Sequence, residues 1–258
     1  MQFAVDLQNK TGKSYLSYSS IKIAMEDMVS FEAYCRGTYY KDSDALTFGS
    51  AYDCLLFEPN KFDERFAVMD DSKIIAEIGG GNPRVTKAYK EWKSNFKETL
   101  GDKRLLSVDD NKMAIDMITR LMSTNAYDIY LADADYQVEA TGFIGDVPAH
   151  GFLDAKGTAS FGDYIVDVKT TRSVKGFRRD VFSFGYDLQA YIYTQLTGIS
   201  NYVWIVQQTS YPFTIGLYVC SERTLESGKR KFDTGVEIIR SFLEGDMSTQ
   251  EYYIFEEI

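Results

Sequence analysis

The stretch "DAKGTASFGDYIVDVKTT", residues 154–171, reads as two strands joined by a tight turn, yet it carries charge where a strand core should have none. If the hairpin is symmetric about Ser160/Phe161, Asp154 falls opposite Asp167. Side chains alternate along a strand, so Asp167 and Lys169 share one face while Val166 and Val168 take the other. Leu153 and Ala155 join the valines on that apolar face. Two carboxylates and an ammonium therefore gather on one side of a hairpin whose opposite side is core.

Such a cluster is costly, because half-buried like charges repel and each raises the other's pKa. A divalent cation removes the conflict. Mg²⁺, with Mn²⁺ as its substitute, prefers oxygen ligands, takes one or two carboxylates and keeps its other positions for water and substrate phosphate. The Val168 carbonyl offers a further ligand. Lys169 would then stand beside the attacking water, to orient or deprotonate it and to offset charge on the phosphate.

The rest of the chain narrows the chemistry. Its 258 residues are 45% hydrophobic and 15% aromatic with four prolines, the composition of a globular protein. No apolar run reaches the roughly 18–20 residues that span a bilayer. The start, "MQFAVDLQNKTGKSYLS", lacks a basic segment followed by an apolar core, so the expectation is a cytoplasmic protein with no membrane partner. Cys35, Cys54 and Cys220 are odd in number and scattered, which argues for reduced packing residues and against a disulfide framework. His150 is the sole histidine, so zinc sites and His-activated nucleophiles are disfavoured, and hydrolysis falls to carboxylates and lysine.

The formal net charge of −10 opposes a non-specific nucleic-acid coat. Positive charge nevertheless gathers locally. Lys169, Arg172, Lys175, Arg178 and Arg179 lie within eleven positions with only Asp180 against them. That run is either a phosphate-tracking patch or a solvated loop and helix start.

Along the chain, "SYSSIKIAMEDMVSFEAYC" pairs capping serines with apolar residues at helical spacing, and a second helix is expected from Asp44 to Phe57, ended by Pro59. Residues 61–78 are ambiguous. Gly79-Gly80-Gly81-Asn82-Pro83 is a break without the GK[ST] of a phosphate loop, and two amphipathic helices follow it. From Asp135 three strands are expected, then a helix over Val174–Leu196, a strand pair joined around Tyr211-Pro212, and a long closing helix. The order suggests one α/β domain over 1–258, mainly helical through 130 and sheet-containing from 135.

At this point the residues carry a family resemblance. Gly151-Phe152-Leu153-Asp154 followed by Asp167-Val168-Lys169, with twelve residues between the acids, resembles the G-x-x-D and D-x-K metal-binding core of the PD-(D/E)XK nucleases. Gln189-Ala190-Tyr191-Ile192-Tyr193 resembles the Q-A-x-x-Y motif of the RecB-like branch. Gln189 and Tyr193 lie on one helical face, to contact substrate phosphate, support the acids or simply pack. "YLSYSSIK" and "ALTFGSAYDCLLFEPNKF" are similar to the opening of RecE-type exonucleases (exonuclease VIII).

The resemblance implies a central mixed sheet flanked by helices, with a helical N-terminal region. It also implies a Mg²⁺-dependent exonuclease acting 5′→3′ on linear duplex DNA ends, partnered by a single-strand annealing protein in phage-type recombination. Related exonucleases form rings, so a trimer or tetramer is expected. Asp154, Asp167 and Lys169 become the catalytic set, with Gln189 and Tyr193 beside it. Asp53 marks a departure, because it stands where the family's helix presents a histidine to the metal. It is either an oxygen ligand in the histidine's place or an ordinary exposed aspartate. Glu139 is a candidate for a second metal or for supporting the first. Ser19, Ser20 and Lys22 offer donors to a terminal phosphate, and the serines equally offer helix caps. Relatives with an iron–sulfur cluster need four cysteines, so none is expected here. The alternatives are a structure-specific or restriction-type endonuclease with the same core, and a nuclease fold kept as a DNA-binding module.

Overall fold

The computed structural model describes residues 2–39 and 43–245. Two compact units partition the chain: Met1–Lys41, Asp128–Gln208 and Thr214–Ile258 in one, Asp42–Tyr127 and Thr209–Phe213 in the other. The first unit opens with helices α1 (Gln2–Thr11), α2 (Tyr18–Glu26) and α3 (Met28–Cys35). Ser17 caps α2 reciprocally with Ser20: the Ser20 amide donates to Ser17 Oγ at 3.2 Å, and the Ser17 amide donates to Ser20 Oγ at 2.7 Å. Asp27 then ends α2 in an extended conformation and starts α3 by accepting from the Ser30 amide at 2.6 Å. One polar residue thus divides a continuous helical pattern in two.

The second unit holds α4 (Asp44–Phe57), α5 (Phe62–Arg65), β1 (Phe66–Met69), α6 (Ser72–Ile78), α7 (Lys87–Glu98), β2 (Arg104–Ser107) and α8 (Val108–Met122). Pro59 follows α4 as expected, and the ambiguous segment after it resolves into α5, β1 and α6. β1 and β2 pair in parallel. Their core contains Ala51, Cys54, Phe62, Phe66 and Leu106, with the Phe62 and Phe66 rings stacked 5.3 Å apart.

The remainder of the first unit is α9 (Asn125–Tyr130), β3 (Asp135–Ile144), β4 (Val147–Ala159), β5 (Gly162–Thr171), α10 (Phe177–Ser183), α11 (Tyr186–Thr197), β6 (Asn201–Gln208), β7 (Ile215–Val219) and α12 (Glu222–Glu244). The strands form one sheet in the order β3-β4-β5-β6-β7. β5 runs parallel to β6 and the other neighbours are antiparallel, so the sheet is mixed. The three strands expected after Asp135 and the later pair all form, and no described helix is long and apolar enough to cross a membrane.

Two expectations are corrected. The helix anticipated over Val174–Leu196 is instead a 3-10 turn (Val174–Gly176), α10 and α11. Gly185 breaks it with φ 76°, a left-handed conformation that costs glycine little and other residues more. The acid-bearing face of β5, expected to be half-buried, is covered more deeply at Asp167. Asp167 is only 1% exposed, because a central strand in a partly parallel sheet is covered on both sides, and Ile165, Val166 and Val168 are buried with it.

α11 lies against the sheet, and α12 is fastened to α11 at close range. A Cβ at Gly228 would clash with the backbone carbonyl of Asp187, so only glycine permits this approach. The fully buried Asp187 carboxylate is matched by Lys231 Nζ and Ser227 Oγ, each at 2.7 Å. Phe232, Val236, Ile239 and Phe242, spaced three and four apart, form the buried stripe of α12.

Candidate active site

The register of the hairpin is the one symmetric about Ser160/Phe161. Pairs run from Ala159↔Gly162 to Ala155↔Val166, and Asp154 and Asp167 occupy the next positions, where the paired stretch has ended. There β4 leaves β5, and the Val168 amide donates to Asp154 Oδ2 at 2.8 Å. Further along β4, the N-terminal chain takes a place beside it. The Leu16 amide donates to the Pro148 carbonyl, and the His150 amide donates to the Leu16 carbonyl, both at 2.9 Å. This docking delivers α2, which begins at Tyr18, to the same region as the acids.

Lys169 Nζ lies 2.6 Å from Asp167 Oδ2 and 5.1 Å from the ring centre of Tyr186. Burial raises the Asp154 pKa to about 7; the Asp167 charge adds to the rise, while Lys169 and the Val168 amide oppose it. Burial likewise raises Asp167, against the favourable pull of Lys169, Tyr202 and Gln189. For Lys169, burial works against the ammonium, but the charges of Asp167 and Asp154 outweigh it and raise its pKa. The neighbouring acids thus favour the ammonium form of Lys169.

Gln189 and Tyr193, both buried, face the acids from α11. Gln189 Nε2 donates to Tyr193 Oη at 3.4 Å. Burial lifts the Tyr193 phenol to about 12, with the Gln189 contact opposing and the two acid charges adding to the rise. Gly151 explains the first position of G-x-x-D: a Cβ there would clash with Cε1 of Tyr193. The two sequence motifs are thus halves of one packing contact.

The surroundings leave acceptor capacity unused. Both Asp167 oxygens, Gln189 Oε1 and Tyr202 Oη are buried without a partner that meets hydrogen-bond geometry, the Lys169 contact being an ion pair by distance. A native interior rarely leaves so many polar atoms unsatisfied in one place. The buried Asp167 carboxylate with its unspent lone pairs, beside the half-buried Asp154, fits a hard divalent cation, and these two acids would hold it. Among the described residues no group of three or more His, Cys, Asp or Glu stands ready to hold a metal, so the remaining ligands would be water, backbone or substrate oxygen.

The other sequence candidates are distributed. Asp53 is on α4, in the second unit, half-buried and next to the fully buried Tyr52. Glu139 is on β3 with its side chain 64% exposed, and its carboxylate meets His150 Nε2 at 3.2 Å. Ser20 is 4% exposed, and its hydroxyl donates to the Ser17 carbonyl at 2.8 Å while serving the cap. Ser19 is exposed, and Lys22 Nζ lies 6.0 Å from the Tyr18 ring centre. Arg172, Lys175, Arg178 and Arg179 are all exposed. Sequence reading missed Tyr18, Tyr186 and Tyr202 as neighbours of the acids. Burial first, then the nearby Asp167, raise the Tyr202 phenol. The Tyr18 phenol is raised by burial too, with Lys169 opposing. Their only trace in the sequence is an aromatic in the first or second position of each element, which core packing equally explains.

The model of the PDDEXK-like domain of unknown function (DUF3799) matches residues 17–249. The chain belongs to this family. A DUF3799 match places it in the PD-(D/E)XK nuclease superfamily and makes its domain nuclease-like. The crystal structure of a candidate exonuclease from Eubacterium rectale overlays it with a TM-score of 0.64 at 16% identity, covering 99% of this chain and 94% of that one. At that identity the likeness speaks for the fold. Two further solved chains carry no argument at their low scores. SSO0001 gives 0.33 at 18% identity, covering 59% of this chain and 70% of its own. Rai1 of Scheffersomyces stipitis gives 0.28 at 15% identity, covering 67% and 53%. No curated protein matches the chain.

Proposed function

We propose that this DUF3799 chain is a divalent-metal-dependent deoxyribonuclease, a 5′→3′ exonuclease on linear double-stranded DNA that works with a single-strand annealing protein in phage-type recombination. The observation that carries the hydrolytic part is the set of buried Asp167 with half-buried Asp154 and Lys169, with unsatisfied acceptor atoms around it. Duplex ends, polarity and the recombination partner rest on the resemblance of the N-terminal half to RecE-type enzymes.

When bound, Mg²⁺ or Mn²⁺ would polarise the scissile phosphate and make a neighbouring water a stronger nucleophile. The chain's own residues do the rest. Asp154 and Asp167 anchor the cation, and Asp154 is itself oriented by the Val168 amide. Lys169, held as an ammonium by its acids, orients the attacking water and offsets charge that builds on the phosphate. Gln189 and Tyr193 fix the floor of the site and offer polar atoms to a phosphate oxygen. Asp53 is a further oxygen donor on the ground of its position in the family's motif alone, and the Val168 carbonyl and Glu139 are lesser ones. Arg172, Lys175, Arg178 and Arg179, with Ser19 and Lys22, supply contacts to the DNA backbone.

The test compares end-labelled linear duplex with covalently closed circular DNA, in Mg²⁺ or EDTA. The expected result is Mg²⁺-dependent loss of the linear substrate with the 5′ label released first and the circle intact. Cutting of the circle would move the assignment to an endonuclease. No cutting of either substrate in Mg²⁺ or Mn²⁺ would leave a DNA-binding module and overturn the nuclease.

A further inference from the structure

We infer that Phe184, presented by the break between α10 and α11, is a stacking platform for a base of the DNA strand whose phosphate lies at the acids. The substrate class rests on the nuclease-fold reading above; the stacking site goes beyond it. Phe184 is 49% exposed and Phe182 is 46% exposed, two large aromatic surfaces presented together at the end of α10. The turn is built, not loose. Tyr18 Oη donates to the Phe184 carbonyl at 2.6 Å, and Gly185 takes its left-handed conformation with the Tyr18 ring 3.5 Å from where a Cβ would stand.

The ring is held close to the chemistry. Phe184 meets Tyr186 edge-on at 5.8 Å between centroids, the Tyr186 ring centre is 5.1 Å from Lys169 Nζ, and Lys169 touches Asp167. Two ring contacts thus connect a solvent-facing aromatic surface to the ammonium proposed to act on the phosphate. A nucleotide makes the same connection, from its base through the sugar to a phosphate. The flanking charge selects the occupant: Arg178 and Arg179 lie on α10 ahead of Phe182 and of Phe184, which caps its end, are exposed, and make no ion pair among the described residues. Basic residues next to exposed aromatics suit a single nucleic-acid strand, because stacking accepts any base while the cations follow the backbone.

The experiment uses the full chain and short duplexes with a frayed end, with 2-aminopurine placed in turn at each of the four terminal positions and Ca²⁺ replacing Mg²⁺. Wild type and Phe184→Tyr should quench 2-aminopurine at one position, and Phe184→Ala should not. An abasic residue at that position should weaken wild-type binding roughly ten-fold, the scale of one stacked base, and leave Phe184→Ala unaffected. No quench at any position, an unchanged quench in Phe184→Ala, or an equal abasic penalty in both proteins overturns the platform. Cleavage in Mg²⁺ is followed in parallel. A chain that cuts nothing but keeps a Phe184-dependent quench supports the platform while removing the nuclease; one that cuts but quenches without Phe184 removes the platform alone.

Discussion

Burial raises the pKa of Asp154 to about 7, from 3.8 for the free side chain, so between those values the folded chain holds a proton that the unfolded chain has released. Stability from this group is therefore full below about pH 4 and falls as pH rises to about 7. Asp167 shifts in the same direction. Asp154→Asn keeps an acceptor for the Val168 amide but removes the charge. In EDTA at pH 8 it should be more stable than wild type, on the order of 1–3 kcal/mol, with the gap closing by pH 4. Mg²⁺ should raise the melting temperature of wild type and not of the variant. Melting curves across pH check this, and a variant less stable than wild type at pH 8 without metal would contradict it. Asp53 makes a separate claim. If its carboxylate replaces a neutral histidine ligand, Asp53→Ala should weaken Mg²⁺ binding by calorimetry, and Asp53→His should recover part of it. Full activity of the alanine variant at limiting Mg²⁺ would show that the position carries no ligand.

At the scale of elements, the site depends on α11 lying flat against β4, and Gly151 is what allows it. Gly151→Ala should force Tyr193 aside, costing roughly 1–3 kcal/mol of stability by overpacking and displacing Gln189 with it. Restoring space with a second change, Tyr193→Phe, should not rescue the fold, since the clash is with the ring rather than the hydroxyl; Tyr193→Leu should. Urea midpoints of the three variants decide this. The same elements show what a sequence can and cannot reveal. The alternation of Asp167, Val168 and Lys169 was enough to place the strand, its register and the shared face of acid and lysine. The end of pairing at Ala155↔Val166 was not legible, because strand separation depends on what else competes for the β4 edge, here Leu16 from well over a hundred residues away. The burial of Asp167 escaped for a related reason, since alternation describes one hairpin and says nothing of a parallel neighbour and helix laid over it. Gly185 was visible as a glycine inside a helical pattern, but a glycine is tolerated mid-helix often enough that its left-handed turn, and so the exposure of Phe184, went unread.

At the scale of the whole molecule, a net charge of −10 has to be reconciled with a polyanionic substrate. A monomer of this charge would repel DNA at long range, whereas a closed ring can bring several copies of one basic patch to a common axis with acids facing outward. We expect a trimer or tetramer around threaded duplex, with Arg172, Lys175, Arg178 and Arg179 tracking phosphates. Light scattering coupled to size-exclusion chromatography reads the subunit number, and binding should need a free end and weaken steeply with salt. Neutralising these four residues should make the salt slope shallower. A monodisperse monomer that degrades long duplexes without dissociating would rule the ring out.

The most direct measurement is of Lys169→Ala, with Mg²⁺ binding followed by calorimetry and turnover followed on end-labelled linear duplex at saturating Mg²⁺. The acids remain in this variant and the charge beside the attacking water is gone. Turnover should fall by roughly 10²- to 10⁴-fold while Mg²⁺ affinity changes little. Lost metal binding with unchanged turnover at saturating Mg²⁺ would contradict the assignment of Asp154, Asp167 and Lys169 as the hydrolytic centre.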